Sequence, residues 1–338
     1  MKAAVLAFSA RGCETARRVL SALEGWETFA YTPERLAGDG FLPLGKPALT
    51  FYGELFSACD ALIFVGSAGI VVREIAPHVR DKRTDPAVLC IDERGQYVIP
   101  LLSGHIGGAN ALSRRLAAAL KAMPVVTTAT DINGRFSVDT WATERGLVIG
   151  DIKAAKAVSA AILEGDVPLC CDYPIVTALP SGTVPGGSGP VGICISCRSR
   201  RPFAVTLLLI PRILHLGIGC RRGIEESAVR AAVESVFREN ELELRAVKGV
   251  YSIDLKADEA GLLSFCARMG WPAAFYSAEE LQDVKGDFTP SAFVQSVTGV
   301  DNVCERAALL GAERLIVKKT AINGVTVAVA EEKLEVGF

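Results

Sequence analysis

Apolar residues along this chain fall into short uninterrupted runs separated by amphipathic stretches, the pattern of buried strands followed by helices. "KAAVLAF" (2–8) predicts a buried strand, Ser9 to Gly12 a tight turn, and "ETARRVLSALEG" (14–25) an amphipathic helix closed by Gly25. The plan recurs in "CDALIFVGSAGIVVREIAPHVR" (59–80): a strand over Ala61 to Val65, a small-residue turn from Gly66 to Gly69, and a helix that Pro77 disrupts. "PAVLCIDERGQYVIPLL" (86–102) reads as two strands about a turn at Glu93 to Gly95. "ANALSRRLAAALKAM" (109–123) is a helix with Leu112, Leu116 and Leu120 on one face, and "PVVTTAT" (124–130) is the strand that follows. Residues 1–133 therefore form an open, mostly parallel α/β unit.

The texture changes over 134–211. A helical stretch (138–165) is followed by "LPSGTVPGGSGP" (179–190), too rich in Pro and Gly for a core element and read as a surface loop or linker. The apolar strands "VGICIS" and "FAVTLLLI" then flank "CRSRRP". From residue 212 a second α/β unit runs to 338: "RILHLGIGCRRGIEESAVRAAVESVFREN" is again strand, turn and helix, and Asn323-Gly324 between alternating runs is a C-terminal β-hairpin signal. The expectation is a multi-domain α/β protein.

Composition narrows what such a fold does. With 36 basic against 38 acidic residues in 338, there is no global field to draw in nucleic acid or an anionic membrane, so an anionic ligand must be held by a local cluster. No apolar run reaches the ~18–20 residues that span a bilayer, and the N-terminus turns polar too soon for a signal peptide. A cytoplasmic location follows as the expectation. The ten cysteines show no regular framework; "CISC" (Cys194, Cys197) has metal or redox spacing, but no second pair or nearby His completes a zinc set.

Three small-residue turns carry the candidate chemistry. In "LIFVGSAGIVVR", Gly66, Ser67 and Gly69 stand where a strand gives way to a helix, either a compact turn or an anion site built from backbone N–H groups. The charged run behind it offers Arg73 and Lys82 as grips for an acidic ligand, alongside His78. In "LLSGHIGGAN", His105 sits among Gly104, Gly107 and Gly108 before a helix. It either caps that helix or serves as a proton shuttle, with Ser103 bonding the reacting group and Asn110 capping or orienting it. In "GIGCRRG", Arg221 and Arg222 suit acidic groups, and Cys220 between glycine and two cations is either an activated thiol or a packing residue. Ser252 and Lys256 in "SIDLKADE" are further binding candidates; of Lys318 and Lys319, adjacent on a strand, at most one faces a given site. His215, between leucines in a strand, ranks below His105.

The segments "GSAGIVVR", "DKRTDPAVLCIDERGQYVIPLLSGHIGGANALSRRLA", "TTATD", "LGIGCRRG", "SIDLKADEAGLL", "FYSAEEL" and "SVTGVDNVCERAALL", in this order, resemble the CbiG family of cobalt-precorrin-5A hydrolases. The likeness is densest over 61–131 and 213–311 and thin over 150–211, and the last unit also looks like the free-standing CobE. The resemblance implies opening of the δ-lactone that joins the ring A acetate to C-20 of cobalt-precorrin-5A, with loss of the two-carbon unit as acetaldehyde to give cobalt-precorrin-5B. It implies an acidic corrinoid as the small-molecule partner, neighbouring enzymes of the same pathway as possible protein partners, and no cofactor, because the cobalt is carried by the substrate. The residues themselves, and not the resemblance, assign the roles in that chemistry: His105 activates water, and either the 66–69 turn or Gly107 and Gly108 donate to the oxyanion. The rival is a binding or hand-over protein that holds the corrinoid without acting on it.

Overall fold

The computed structural model describes residues 1–81, 84–105 and 107–338, which divide into two compact units, Met1–Thr140 and Trp141–Phe338. In the first, strands β1 (Lys2–Ala7), β2 (Glu27–Thr32), β3 (Leu42–Pro43), β4 (Ala61–Val65), β5 (Ala87–Ile91), β6 (Tyr97–Leu102) and β7 (Met123–Pro124) make a seven-stranded sheet ordered β3-β2-β1-β4-β5-β6-β7. Its helices are α1 (Ala10–Ala22), α2 (Ala48–Ala58), α3 (Ala68–Ile75), α4 (Ala109–Leu120) and α5 (Ala129–Ile132), and α6 (Val138–Glu144) spans the boundary between the units.

The central strands are uninterrupted apolar runs because both faces are covered. One face packs on Cys13, Ala16 and Val19 of α1 and Leu112, Leu116 and Leu120 of α4; the other packs on Tyr52, Leu55 and Phe56 of α2 and Val71 and Ile75 of α3. Every strand pair is parallel except β5–β6, whose hairpin reverses the chain. Ala61 and Val65 lie opposite Ala87 and Ile91, while Val88 lies opposite Leu102 and Ile91 opposite Val98. The turn after β4 and the loop after β6 thus leave opposite edges of the sheet, roughly 16 Å apart at ~3.3 Å per strand residue.

Local details differ from the sequence expectation where side chains compete for backbone groups. Ser9 to Gly12 is no separate turn: Ser9 caps α1 directly, its Oγ accepting from Gly12 N at 3.0 Å. "PVVTTAT" pairs with the sheet only at its start, Tyr97 opposite Met123 and Val98 opposite Pro124, and the chain then turns into α5. Thr128 and Asp131 there bond to each other and to Asn110, an alternative to the strand ladder.

The second unit holds two five-stranded sheets. One is ordered β10-β9-β11-β12-β8, from β8 (Val148–Ile149), β9 (Val167–Cys171), β10 (Thr183–Pro185), β11 (Val191–Ile195) and β12 (Val205–Ile210), with α7 (Ile152–Glu164) packed on it. The 138–165 stretch is therefore two helices: Gly146, at φ +67°, follows α6, and β8 joins the sheet edge before α7. The Pro/Gly-rich segment contributes β10, an edge strand, the place where Pro185 costs least.

The other sheet is ordered β15-β14-β13-β17-β16, from β13 (Leu214–Cys220), β14 (Val247–Ile253), β15 (Ala273–Tyr276), β16 (Arg314–Ile322) and β17 (Val325–Glu331). Its helices are α8 (Glu226–Glu239), α9 (Ala260–Met269), α10 (Ala278–Asp283), α11 (Ala292–Thr298) and α12 (Val303–Leu309). Helix α12 lies so close to β13 that a Cβ on Gly217 would come within 1.9 Å of the Cys304 carbonyl oxygen. Asn323 and Gly324 join β16 to β17 at φ +49° and +83°, the left-handed pair that a two-residue hairpin turn needs. Among the described residues, no helix is long and apolar enough to cross a membrane.

Candidate functional site

The loop after β6 closes on itself before α4 begins. Ser103, at φ +57°, accepts the Ala109 amide at its carbonyl (3.1 Å), and Gly104 accepts the Asn110 amide (3.0 Å). A Cβ on Gly107 would come 2.3 Å from that of Ser103, and one on Gly104 would come 2.8 Å from Asn110 Oδ1. The glycines are thus required by loop closure. The Ser103 hydroxyl, expected to bond the reacting group, instead donates to the Asp85 carbonyl at 2.9 Å and helps hold the loop.

This closure holds the His105 ring between two carboxylates. Nδ1 meets Ser137 Oγ, Thr140 Oγ1 (2.9 Å) and Asp139 Oδ1 (3.2 Å), while Nε2 lies 3.8 Å from Asp131 Oδ2. Asp139 also accepts from the Ser137 hydroxyl (3.2 Å) and the Thr140 amide (3.0 Å). Asp131 accepts from Thr128 Oγ1 (2.5 Å) and Asn110 Nδ2 (3.0 Å) and pairs with Arg114. Burial opposes ionisation of Asp131, but the Thr128 hydroxyl and the Arg114 guanidinium outweigh it and hold the carboxyl below its ordinary range. The His105 side chain remains 21% exposed, so the ring is reachable. A carboxylate at each ring nitrogen fixes the ring's orientation and stabilises the imidazolium that proton uptake creates. His105 and Asn110 were legible in the sequence; Thr128, Asp131, Ser137, Asp139, Thr140 and Arg114 were not. Their signal is the Ser/Thr/Asp clustering in "TTATD" and "SVDT", the residue types that start helices and bind side chains locally.

The 66–69 turn does not join this array, because the strand register places it at the far edge of the sheet. The Gly66 amide is also committed, donating to Ile91 at 2.8 Å, and the Gly108 amide donates to the His105 carbonyl at 2.9 Å. Ser67 precedes α3 without a side-chain cap bond, and Arg73 folds back to donate to the Gly69 carbonyl at 3.3 Å. Lys82 lies outside the described residues. His78 packs on Phe56 with ring centroids 6.1 Å apart. His215 is buried, bonded through Nε2 to Glu332 Oε1 at 2.8 Å and stacked on Tyr251, a structural placement.

In the second unit a cavity of about 740 Å³ opens beside the end of β13, lined among others by Cys220, Arg221, Arg222, Lys256, Phe293 and Lys319. It gathers Arg221, Arg222 and Lys256 as expected, but not Ser252, which is buried and donates to the Ile218 carbonyl at 2.6 Å. Arg222 pairs with Asp258 (2.7 Å) and Lys256 with Glu259 (3.4 Å). Burial pushes the Cys220 thiol up, against an activated nucleophile. Lys319 lines the cavity while Lys318 pairs with Asp287 at 2.7 Å. Cys194 and Cys197 are both buried with raised thiols: Cys194 through its hydrogen bond with Cys170 and through burial, Cys197 through burial.

Comparison with known proteins follows the same two regions. Residues 50–131 match the family model described as cobalamin synthesis G N-terminal, and residues 214–330 match cobalamin synthesis G C-terminus. The cobalt-precorrin-5A hydrolase of Salmonella typhimurium is 36% identical over 313 residues, covering 88% of this chain and 89% of that protein. The cobalt-precorrin-5A hydrolase of Priestia megaterium is 34% identical over 298 residues, 82% and 79% of the two chains. Protein CobE of a Sinorhizobium species is 35% identical over 121 residues, 35% of this chain and 79% of its own. The chain belongs to the CbiG family, that of the cobalt-precorrin-5A hydrolases.

Proposed function

We propose that this chain hydrolyses cobalt-precorrin-5A, opening its δ-lactone and releasing the C-20 unit as acetaldehyde to give cobalt-precorrin-5B. The observation that carries the reading is the reachable His105 ring with Asp139 at one nitrogen and Asp131 at the other, in a member of this family. His105 takes a proton from water, and the resulting hydroxide adds to the lactone carbonyl carbon. Because the Gly66 and Gly108 amides are committed elsewhere, the Gly107 amide is the loop donor assigned to the oxyanion. Collapse breaks the acyl–oxygen bond, the imidazolium returns its proton to the C-20 oxygen, and the ring A acetic acid so formed gives its own proton to solvent to become a carboxylate. The neutral imidazole then takes the proton from that hydroxyl, and the aldehyde carbonyl forms as the bond from C-20 to the macrocycle breaks. Its electron pair passes into the corrinoid ring, which takes up a proton. The product then passes to a neighbouring enzyme of the pathway.

The test is product analysis on the full chain with cobalt-precorrin-5A. Acetaldehyde appearing in step with the contracted corrinoid is the expected result. An absorption shift on mixing, with no acetaldehyde, would replace this reading with the hand-over protein.

A further inference from the structure

The cations around the cavity of the second unit are not equivalent. Arg222 and Lys256 are neutralised by Asp258 and Glu259. Among the described residues, neither Arg221 nor Lys319 has a carboxylate within 4.0 Å of its charged group. Both are nevertheless held in place. The Arg221 amide donates to the Gly324 carbonyl at 3.1 Å, and its side chain lies on the hairpin turn, where a Cβ on Gly324 would meet Arg221 Cδ at 3.1 Å. The ladder between β16 and β17 shifts register between Val317 and Thr320, which leaves the Lys319 amide outside it; Glu305 Oε1 accepts that amide at 2.6 Å. Glu305 is fully buried and its remaining capacity is taken by the Thr289 amide and hydroxyl and by Asn302, at 2.7, 2.9 and 2.8 Å. The Lys319 ammonium is therefore left for the cavity.

Most of the rest of the wall is apolar, with Ser291, Thr298, Asn302 and Thr326 among the polar residues that line it. Ile253, Val294, Val303 and Ile322 line it, and α11 buries none of its own residues, leaving Phe293 77% and Val297 61% exposed at the mouth. An apolar wall with two uncompensated cations from different elements complements a broad apolar body with anions on its fringe. Its volume falls within the ~300–1,000 Å³ usual for small-molecule sites.

We infer that this cavity binds carboxylated corrinoids through residues of the second unit alone, the macrocycle lying on Phe293 and Val297 with Arg221 and Lys319 each taking a carboxylate. The inference takes its substrate class from the function proposed above but requires no turnover.

Titrating the full chain with cobyrinic acid, followed by the corrin absorption, tests it without calling on catalysis. Cobyrinic acid should bind, and its heptamethyl ester, with the same ring and no free carboxylate, should bind at least about tenfold more weakly. The Arg221→Ala/Lys319→Gln double variant should lose a similar factor or more for the acid while leaving the ester unchanged, and Phe293→Ala should weaken both ligands. Three results would each overturn the site: no binding of cobyrinic acid, equal affinity for acid and ester, or parental affinity in a double variant that melts like the parent. If cobyrinic acid binds as described while cobalt-precorrin-5A yields no acetaldehyde, the function fails and the binding site stands.

Discussion

In the first unit the ionisable groups crowd one another, His105 set between Asp139 and Asp131 with Arg114 paired behind; in the second they ring a cavity, and two of the cations have no carboxylate partner among the described residues. The difference separates two physical tasks. Carboxylates beside a ring stabilise the positive charge it acquires on taking up a proton, but the same carboxylates repel an anionic substrate. Cations without internal partners do the reverse: they attract and orient carboxylates and contribute nothing to proton transfer. Substitutions in the two regions should therefore fail in different ways, and that contrast can be broken.

The largest effect is expected at the ring. His105→Ala should lower acetaldehyde release by ~100- to 10,000-fold, the usual worth of general-base help, and leave the dissociation constant for cobyrinic acid unchanged. Parental turnover in that variant would erase the division of labour. Next comes Asp139→Asn, which keeps the shape but removes the charge beside Nδ1, 3.2 Å away. On the order of a hundredfold loss in kcat with little change in KM would mark Asp139 as a positioning residue; a change in KM alone would place it with the binding groups instead.

A subtler test uses acid. The Asp131 carboxyl is depressed in the folded chain, so its stabilising contribution is complete above the ordinary carboxylate value and is lost as the pH falls through the lower folded value. Urea titrations of the parent should show stability dropping through that acid window, and Asp131→Asn should flatten the drop. An unchanged slope would mean that the Arg114 and Thr128 contacts do not hold the ionised form. Smallest of all is Ser103→Ala. With its hydroxyl committed to the Asp85 carbonyl, turnover should stay within about threefold of the parent.

The β-α punctuation was readable from the sequence because the strands are buried on both faces and their apolar runs stop at Gly, Pro or charge: Ala61–Val65 appears as expected, and so does the Asn323–Gly324 reversal. His105 stood out for its chemistry alone. Its partners did not, since Asp131, Ser137 and Asp139 lie 26 to 34 positions further along and meet the ring only because the chain after β7 leaves the sheet and returns beside the loop. The Glu93–Gly95 turn was visible too, yet its consequence is geometric: one antiparallel step carries the following loop to the other end of the strands, so that of the two oxyanion alternatives only the 104–108 turn lies beside His105. Whether a cation is already neutralised is likewise a matter of folded distance, so Arg221 and Arg222 look identical as letters and differ in the molecule.

On the binding inferred above, the hairpin at Asn323–Gly324 sets by counting which lysine faces the cavity. Only a fixed number of residues separates Lys319 from the reversal, and neighbouring side chains on the strand face different ways. Inserting one residue between them would rotate Lys318 toward the cavity and turn Lys319 to solvent, while pulling the Glu305 anchor off its amide. A length change far smaller than a domain would thus rewrite which anions the pocket tolerates without touching its apolar lining.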